Sequence, residues 1–499
     1  MSKNIMIQGT SSSVGKSILS AAFCRIFTQD GYSVSPFKSQ NMSLNSHVTV
    51  EGHEMGRAQV LQAEACRKVP NVNMNPILLK PTADHQSQVI VMGKVLKDMN
   101  AADYFLYKSE LKEVILTAYN GLSENSDIMV IEGAGSPAEI NLKKDDIVNM
   151  GLAEMVDAPV ILVADIDRGG VFASIYGTVM LLEEKERKRI KGVIINKFRG
   201  DRSLLTSGIH QIESLIGIKV LGVIPFFTLD LDEEDSAMDW LKFSGVSETK
   251  LEIAVIKLPH LSNFTDFHPL SVLKEVKLRF CDLNDEIGHP DLIILPGTKT
   301  TVEDLMRMKE SGMDKKVRRC HENGTSLMGI CGGYQILGKT IRDPSGVETS
   351  TSEINGLGFI EMDTEFRSEK NTFLIEGTSH FSSSNIYGYE IHMGESKHIE
   401  MYPPLVTITK RNSLEVSPMD EGVMDKDKGV FGTYVHGIFD NGSFTRDFLN
   451  RLCEKKGVEP LQEEIRDFWI HRDEELDKLG QIVRENVDME KVYEILDES

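Results

Sequence analysis

A basic face is missing from this chain. Its 499 residues carry 55 Lys and Arg against 76 Asp and Glu, a formal net charge of −21. Nucleic acids and anionic membranes recruit proteins through clustered positive charge, so neither is an expected partner. Long apolar runs are missing too, since no stretch approaches the ~20 residues that a membrane span needs. Cysteine is sparse: six residues, at 24, 66, 281, 320, 331 and 453. They form no C-x-x-C pair and no zinc spacing, as expected of thiols kept reduced in the cytoplasm. Met1-Ser2-Lys3 runs directly into an apolar strand, leaving no room for a signal peptide, and a cytoplasmic location is expected. Internal repeats and low-complexity segments are also absent. The length predicts two or three domains with full hydrophobic cores.

The chemistry that is present begins in the first forty residues. Asn4 to Ile7 reads as a short strand leading into Gly9-Thr10-Ser11-Ser12-Ser13-Val14-Gly15-Lys16-Ser17. Ile18, Leu19, Ala22, Phe23, Ile26 and Phe27 then recur at helical spacing until Gly31. A glycine- and hydroxyl-rich turn between strand and helix directs its N–H groups inward as a phosphate cradle, and the helix N-terminus adds partial positive charge. Gly9, Thr10, Ser12 and Gly15 would line this cradle. Lys16 would reach the terminal phosphates, and the Ser17 hydroxyl would bind Mg²⁺. Five residues separate the glycines where a standard P-loop has four. Further strands are predicted at 128–131, 159–164, 192–195 and 220–224. The first of these ends at Glu132-Gly-Ala-Gly-Ser, which puts a carboxylate at a strand's C-terminal end, where open parallel sheets bind ligands. Glu132 is therefore a Mg²⁺ candidate.

A second site is predicted far down the chain. Ser326 to Ile330 drives into Cys331, flanked by glycines, and the helical Tyr334-Gln335-Ile336-Leu337 follows. A nucleophile elbow is built this way, with the next backbone N–H facing a developing oxyanion. Another buried strand, Asp291 to Leu295, opens into Pro296-Gly297-Thr298-Lys299-Thr300, a loop able to supply a second N–H. In Gly432-Thr433-Tyr434-Val435-His436-Gly437 the histidine is the candidate general base for the cysteine.

PGTKT, GICGGYQILG and YVHG together resemble a class I glutamine amidotransferase domain. That resemblance implies Cys331 as nucleophile and His436 as its base. It also implies Gly297 and Gly332 as the oxyanion hole and Gln335 as a glutamine contact. Most of that class place a glutamate two residues after the histidine, and here the position is Ile438. Glu390 and His392, in Gly388-Tyr-Glu-Ile-His-Met-Gly394, either orient groups in the site or sit on an exposed loop. The extended phosphate loop resembles that of dethiobiotin-synthetase-like ligases, which activate a carboxylate by phosphorylation. By that resemblance Asn196 contacts adenine.

The chain as a whole, over about residues 1 to 445, resembles the cobyric acid synthase family. The runs at Pro36–Asn45, Met74–Pro81, Glu132–Asn141, Asp165–Gly170 and Ser262–Asp266 carry the likeness with the two sites. The family resemblance implies ATP- and glutamine-dependent amidation of the b, d, e and g carboxylates of adenosylcobyrinic acid a,c-diamide. ATP and Mg²⁺ would be needed, and no redox cofactor. Gln40, Asn41, Asn45, Lys80 and Arg168 are acceptor-binding candidates or polar loop residues. The related a,c-diamide synthase keeps an acidic residue where this chain has Gln40-Asn41, which favours the first activity. Another amidoligase of the same family remains an alternative. A non-enzymatic P-loop switch is disfavoured by Cys331 and His436.

The expected architecture is α/β throughout. A P-loop-type parallel-sheet synthetase domain is expected over 1–235, and a flavodoxin-like class I glutaminase domain over 251–445. The remainder, 446–499, is expected as a helical tail. An acidic cluster at 230 and 232–235 opens the junction, and Leu476, Leu479, Ile482, Val483, Val492, Ile495 and Leu496 are spaced for one buried helical face.

Overall fold

The computed structural model describes residues 2–83, 86–231, 249–349 and 351–498. Most of the expected junction, including the acidic positions 232–235, lies outside them. The chain divides into two compact units. The first comprises Met1–Ser43, Glu54–Ser236 and Arg472–Ser499; the second comprises Leu44–His53 and Ala237–His471. The 446–499 tail is thus shared between units, and a short piece of the N-terminal sequence belongs to the second. Among the described residues, no helix is long and apolar enough to cross a membrane.

The first unit is built on a six-stranded, all-parallel sheet. Its order is Val220–Pro225, Ile190–Phe198, Val160–Asp165, Lys3–Gly9, Ile128–Glu132 and Val34–Phe37. Near-continuous Val, Ile and Met in these strands reflects burial of both sheet faces. On one face the helix Lys16–Gln29 packs Leu19, Phe23, Ile26 and Phe27 against Ile5 and Ile7. Leu476, Leu479, Val483, Val492 and Leu496, from the helices Phe468–Asn486 and Met489–Asp497, join the same core. The helical face read from their spacing is therefore buried. Arg25, fully buried, pairs with Asp473 and, at 3.2 Å, with Asp477 of that tail. A smaller sheet of Gln40–Met42, Ile77–Ala83, Gln86–Val91 and Lys94–Asn100 has mainly antiparallel pairing.

The second unit holds another parallel sheet, ordered Val276–Cys281, Leu251–Ile256, Leu292–Leu295, Ser326–Ile330 and Val430–Thr433. Numbered along the chain this is 2-1-3-4-5, the flavodoxin-like order. Val423–Asp425 adds an antiparallel edge. Between the fourth and fifth parallel strands the chain makes a separate sheet, dominated by the long hairpin of Met362–Ser379 with Asn385–His398. The alternating strand and helix pattern did not anticipate that hairpin. Gly388 to Gly394 lies inside its second strand, so the exposed-loop alternative for Glu390 and His392 is corrected: Glu390 is 2 % exposed.

Candidate active site

In the second unit the functional side chains come from strand ends. Cys331 follows Ser326–Ile330 directly and takes φ 50°, ψ −110° before the helix Gly332–Leu337 starts. A non-glycine residue held there carries strain of about 1–3 kcal/mol, typical of a nucleophile presented on a sharp turn. Close backbone approach makes the turn possible. A Cβ on Gly333 would lie 1.9 Å from the Leu295 carbonyl oxygen, so only glycine fits. The same packing brings the Pro296–Thr300 loop to the elbow: a Cβ on Gly332 would meet the Thr298 backbone N at 3.1 Å, and one on Gly297 would meet His436 Cε1 at 3.1 Å. Gly297, Gly332, Cys331 and His436 are thereby brought together.

His436 is 1 % exposed, and its Nδ1 lies 2.7 Å from Asp266 Oδ2. The other Asp266 oxygen accepts from the Gly437 N–H at 2.9 Å. Burial disfavours the imidazolium, but the Asp266 carboxylate and the Cys331 sulfur outweigh it and raise His436 to about 10. Asp266 is thus the carboxylate that holds the His436 ring, while Ile438, two positions after the histidine, is core. Sequence reasoning missed this residue. It stood in the Ser262–Asp266 run, but 170 residues separate it from His436, and no local pattern links them.

Gln335 is buried with its amide engaged: Oε1 accepts from Thr301 Oγ1 at 3.1 Å, and Nε2 donates to the Tyr434 hydroxyl at 3.2 Å. Glu390 pairs with Arg411 at 2.8 Å, although burial still raises its carboxyl above the usual range. The His392 ring stacks on Tyr434 at 3.9 Å, and its Nδ1 lies 2.7 Å from the Gly394 carbonyl oxygen. Burial lowers His392 to about 4, so it is neutral at ordinary pH and Nδ1 carries the donated proton.

In the first unit the loop from Gly9 to Gly15 joins the strand Lys3–Gly9 to the helix Lys16–Gln29. Thr10 N donates to Val163 O, which anchors the loop to the sheet, and Ser12 is exposed at its tip. Gly15 has φ 98°, and a Cβ there would sit 2.3 Å from Asn196 Nδ2, so the turn requires glycine. Lys16 is buried and donates to the Ser11 and Gly135 carbonyls at 3.0 and 3.1 Å. Asn196 donates to Val14 O at 2.9 Å, and its Oδ1 has no protein partner and can accept from a bound group.

Ser17 Oγ donates to Glu132 Oε1 at 2.7 Å. Hydroxyl and carboxylate are the hard oxygen donors that Mg²⁺ takes, so these two residues fit the ion. Lys38 Nζ and Gln62 Nε2 also donate to Glu132, at 2.8 and 2.6 Å. Burial opposes the charge of Glu132, but Lys38 and these donors hold its carboxyl below the usual range. Lys38 and Gln62 are further residues of the site that sequence reasoning left unassigned.

Gln40, Asn41 and Lys80 lie on neighbouring strands of the smaller sheet. Gln40 Oε1 accepts from the Tyr104 hydroxyl at 2.6 Å, and Asn41 Nδ2 donates to Gln59 at 2.9 Å. Lys80 forms a buried ion pair with Glu54 at 2.6 Å. Arg168 is exposed, just beyond the C-terminal end of Val160–Asp165. Asn45 lies in the second unit, where its Oδ1 accepts from Phe264 N at 3.1 Å.

Comparison with known proteins finds two family matches along the chain. Residues 5–236 match the CobQ/CobB/MinD/ParA nucleotide binding domain, and 252–444 match the CobB/CobQ-like glutamine amidotransferase domain. The chain is 53 % identical to the cobyric acid synthase of Clostridium novyi, covering 100 % of this chain and 98 % of that one. It is 51 % identical to that of a Thermoanaerobacter species, over 100 % and 99 %, and 50 % identical to that of Streptococcus sanguinis, over 99 % of each. A nucleotide-binding unit, a glutaminase unit and full-length likeness place this chain in the cobyric acid synthase family, as a glutamine-dependent, ATP-using ligase.

Proposed function

We propose that the protein amidates the b, d, e and g carboxylates of adenosylcobyrinic acid a,c-diamide, with glutamine as nitrogen donor. The reading rests on one observation above all: a strained Cys331 elbow beside the His436–Asp266 pair, in a chain that also carries a nucleotide-binding loop. Cys331 attacks the glutamine amide carbon as a thiolate, with His436 as the imidazolium beside it. The backbone N–H groups of Gly297 and Gly332 receive the oxyanion. His436 hands its proton to the departing ammonia and later takes one from the water that cleaves the γ-glutamyl thioester. Asp266 keeps His436 in the required orientation and charge state throughout.

A carboxylate does not react with ammonia directly, because its oxygen is a poor leaving group. In the nucleotide-binding unit Lys16 offsets charge on the ATP γ-phosphoryl group as it passes to the acceptor carboxylate. Mg²⁺, held by Ser17 and Glu132, would supply further charge neutralisation there. Asn196 Oδ1 accepts from the adenine amino group. Arg168, exposed at the sheet's C-terminal edge, is the acceptor candidate whose charge suits the corrinoid carboxylates. Lys16→Ala tests the assignment. With saturating ATP it should abolish amidation from glutamine and from added ammonium alike, because carboxylate activation precedes both. Near-normal ammonium-dependent amidation by that variant would overturn the ATP-site assignment.

A further inference from the structure

Ten residues, Leu44–His53, belong to the glutaminase unit although the chain on both sides of them belongs to the nucleotide-binding unit. They close on themselves through Thr49 N to His53 O at 2.8 Å and Gly52 N to Thr49 O at 2.9 Å. Besides the Gly52 carbonyl, which accepts from Thr372 Oγ1 at 2.8 Å, their contacts include two places close to the groups around Cys331.

The first place is the turn that carries Asp266. Asn45 Oδ1 accepts from Phe264 N at 3.1 Å, and Asn263 Oδ1 accepts from Ser46 N at 2.9 Å. This exchange grips the turn at Asn263, which has φ 52°, and at the first residue of the short helix Phe264–Phe267. The second place is the back of His436. The His47 ring meets Tyr389 edge-on at 4.4 Å, and the Tyr389 ring stacks on His436 at 5.2 Å. Tyr389 and His436 also exchange backbone hydrogen bonds at 3.2 and 2.8 Å. Val48 packs beside Tyr389 and Ile391, the residue whose carbonyl lies 3.4 Å from Cys331 Sγ.

We propose that Asn45 and His47 are positioning residues of the glutaminase, Asn45 setting Asp266 and His47 setting His436 through Tyr389. The proposal rests on the reading of Cys331, His436 and Asp266 as the glutamine-hydrolysing group. An Nδ1–Oδ2 contact of 2.7 Å between two buried groups is sensitive to small displacements. A misplacement of about 1 Å in such a site costs on the order of 100-fold in rate. Neither residue has to touch glutamine, so the loss belongs in kcat and not in KM.

The test uses the full-length protein with ATP and the corrinoid acceptor, comparing glutamine with ammonium as nitrogen source. Asn45→Ala and His47→Ala should each lower glutamine-dependent kcat about 10- to 100-fold. KM for glutamine should stay unchanged in both, and so should the ammonium-dependent rate of His47→Ala, a residue outside the acceptor candidates. Asn45→Asp keeps the accepting oxygen and His47→Phe keeps the ring, so both should recover most of the loss. Unchanged kcat in the alanine variants would overturn the proposal. So would conservative variants as slow as the alanine ones, or a parallel fall of the ammonium route in His47→Ala, which would make the segment a general structural tie. Cys331→Ala serves as the control. If it kept glutamine-dependent turnover, the glutaminase reading itself would fail. If it lost that turnover while Asn45→Ala and His47→Ala were normal, only the positioning role would fail.

Discussion

At the scale of single residues, the proposed mechanism makes the charge state of His436 govern the glutaminase. Its pKa stands at about 10 against an ordinary 6.5; burial lowers it, and Asp266 and Cys331 more than reverse that. The imidazolium therefore persists at neutral pH, ready to protonate departing ammonia. Glutaminase activity should fall as pH rises through about 10. Asp266→Asn removes the carboxylate, so its alkaline fall should begin at lower pH, and its rate at neutral pH should drop. Glutamate release followed across pH checks this, and an unmoved alkaline limb would contradict it. The same shift has a stability sign. A folded-state pKa above the unfolded value contributes stability that is complete below about 6.5 and is lost as pH rises through about 10. The destabilisation caused by Asp266→Asn should thus be largest near pH 6 and shrink toward pH 10, which denaturant titrations at the two pH values would measure.

At the scale of elements, the site depends on how closely the elbow is pressed to its neighbouring strand. A Cβ added at position 333 would meet Leu295 backbone atoms at 1.9 and 2.4 Å, and backbone cannot step aside as a flexible side chain can. Gly333→Ala should cost about 1–3 kcal/mol as an overpacking change and displace the helix Gly332–Leu337. Glutamine-dependent amidation should collapse while ammonium-dependent amidation survives, as assayed side by side. The strand-to-helix elbow and the phosphate loop were legible in the sequence because each is a local pattern: apolar run, glycine-rich turn, helical spacing. The tail helices were legible for the same reason, since Leu476, Leu479, Val483, Val492 and Leu496 bury the face that their periodicity defines. What the sequence hid depends on distant pairing. In the hairpin Met362–Ser379 with Asn385–His398 the middle of the first strand is polar and partly exposed, although Tyr387, Tyr389, Ile391 and Met393 do alternate along the second. Asp266 and the Leu44–His53 segment acquire their roles only from partners far along the chain.

At the scale of the whole molecule, the account divides labour between two units with separate chemistry. The nucleotide-binding unit activates a carboxylate whichever nitrogen source follows, and the glutaminase unit matters only when nitrogen arrives as glutamine. Cys331→Ala tests that division most directly, because it removes one sulfur atom from the glutaminase and leaves the phosphate loop untouched. Amidation of adenosylcobyrinic acid a,c-diamide by this variant, followed by mass spectrometry with glutamine and with high ammonium, is the decisive measurement. The account predicts that glutamine-supported amidation falls by several orders of magnitude, on the scale of losing a covalent nucleophile. With ammonium, partial amides should still build toward the fully amidated product. An undiminished glutamine-dependent rate would contradict the glutaminase assignment, and loss of the ammonium route as well would contradict the separation of the two sites.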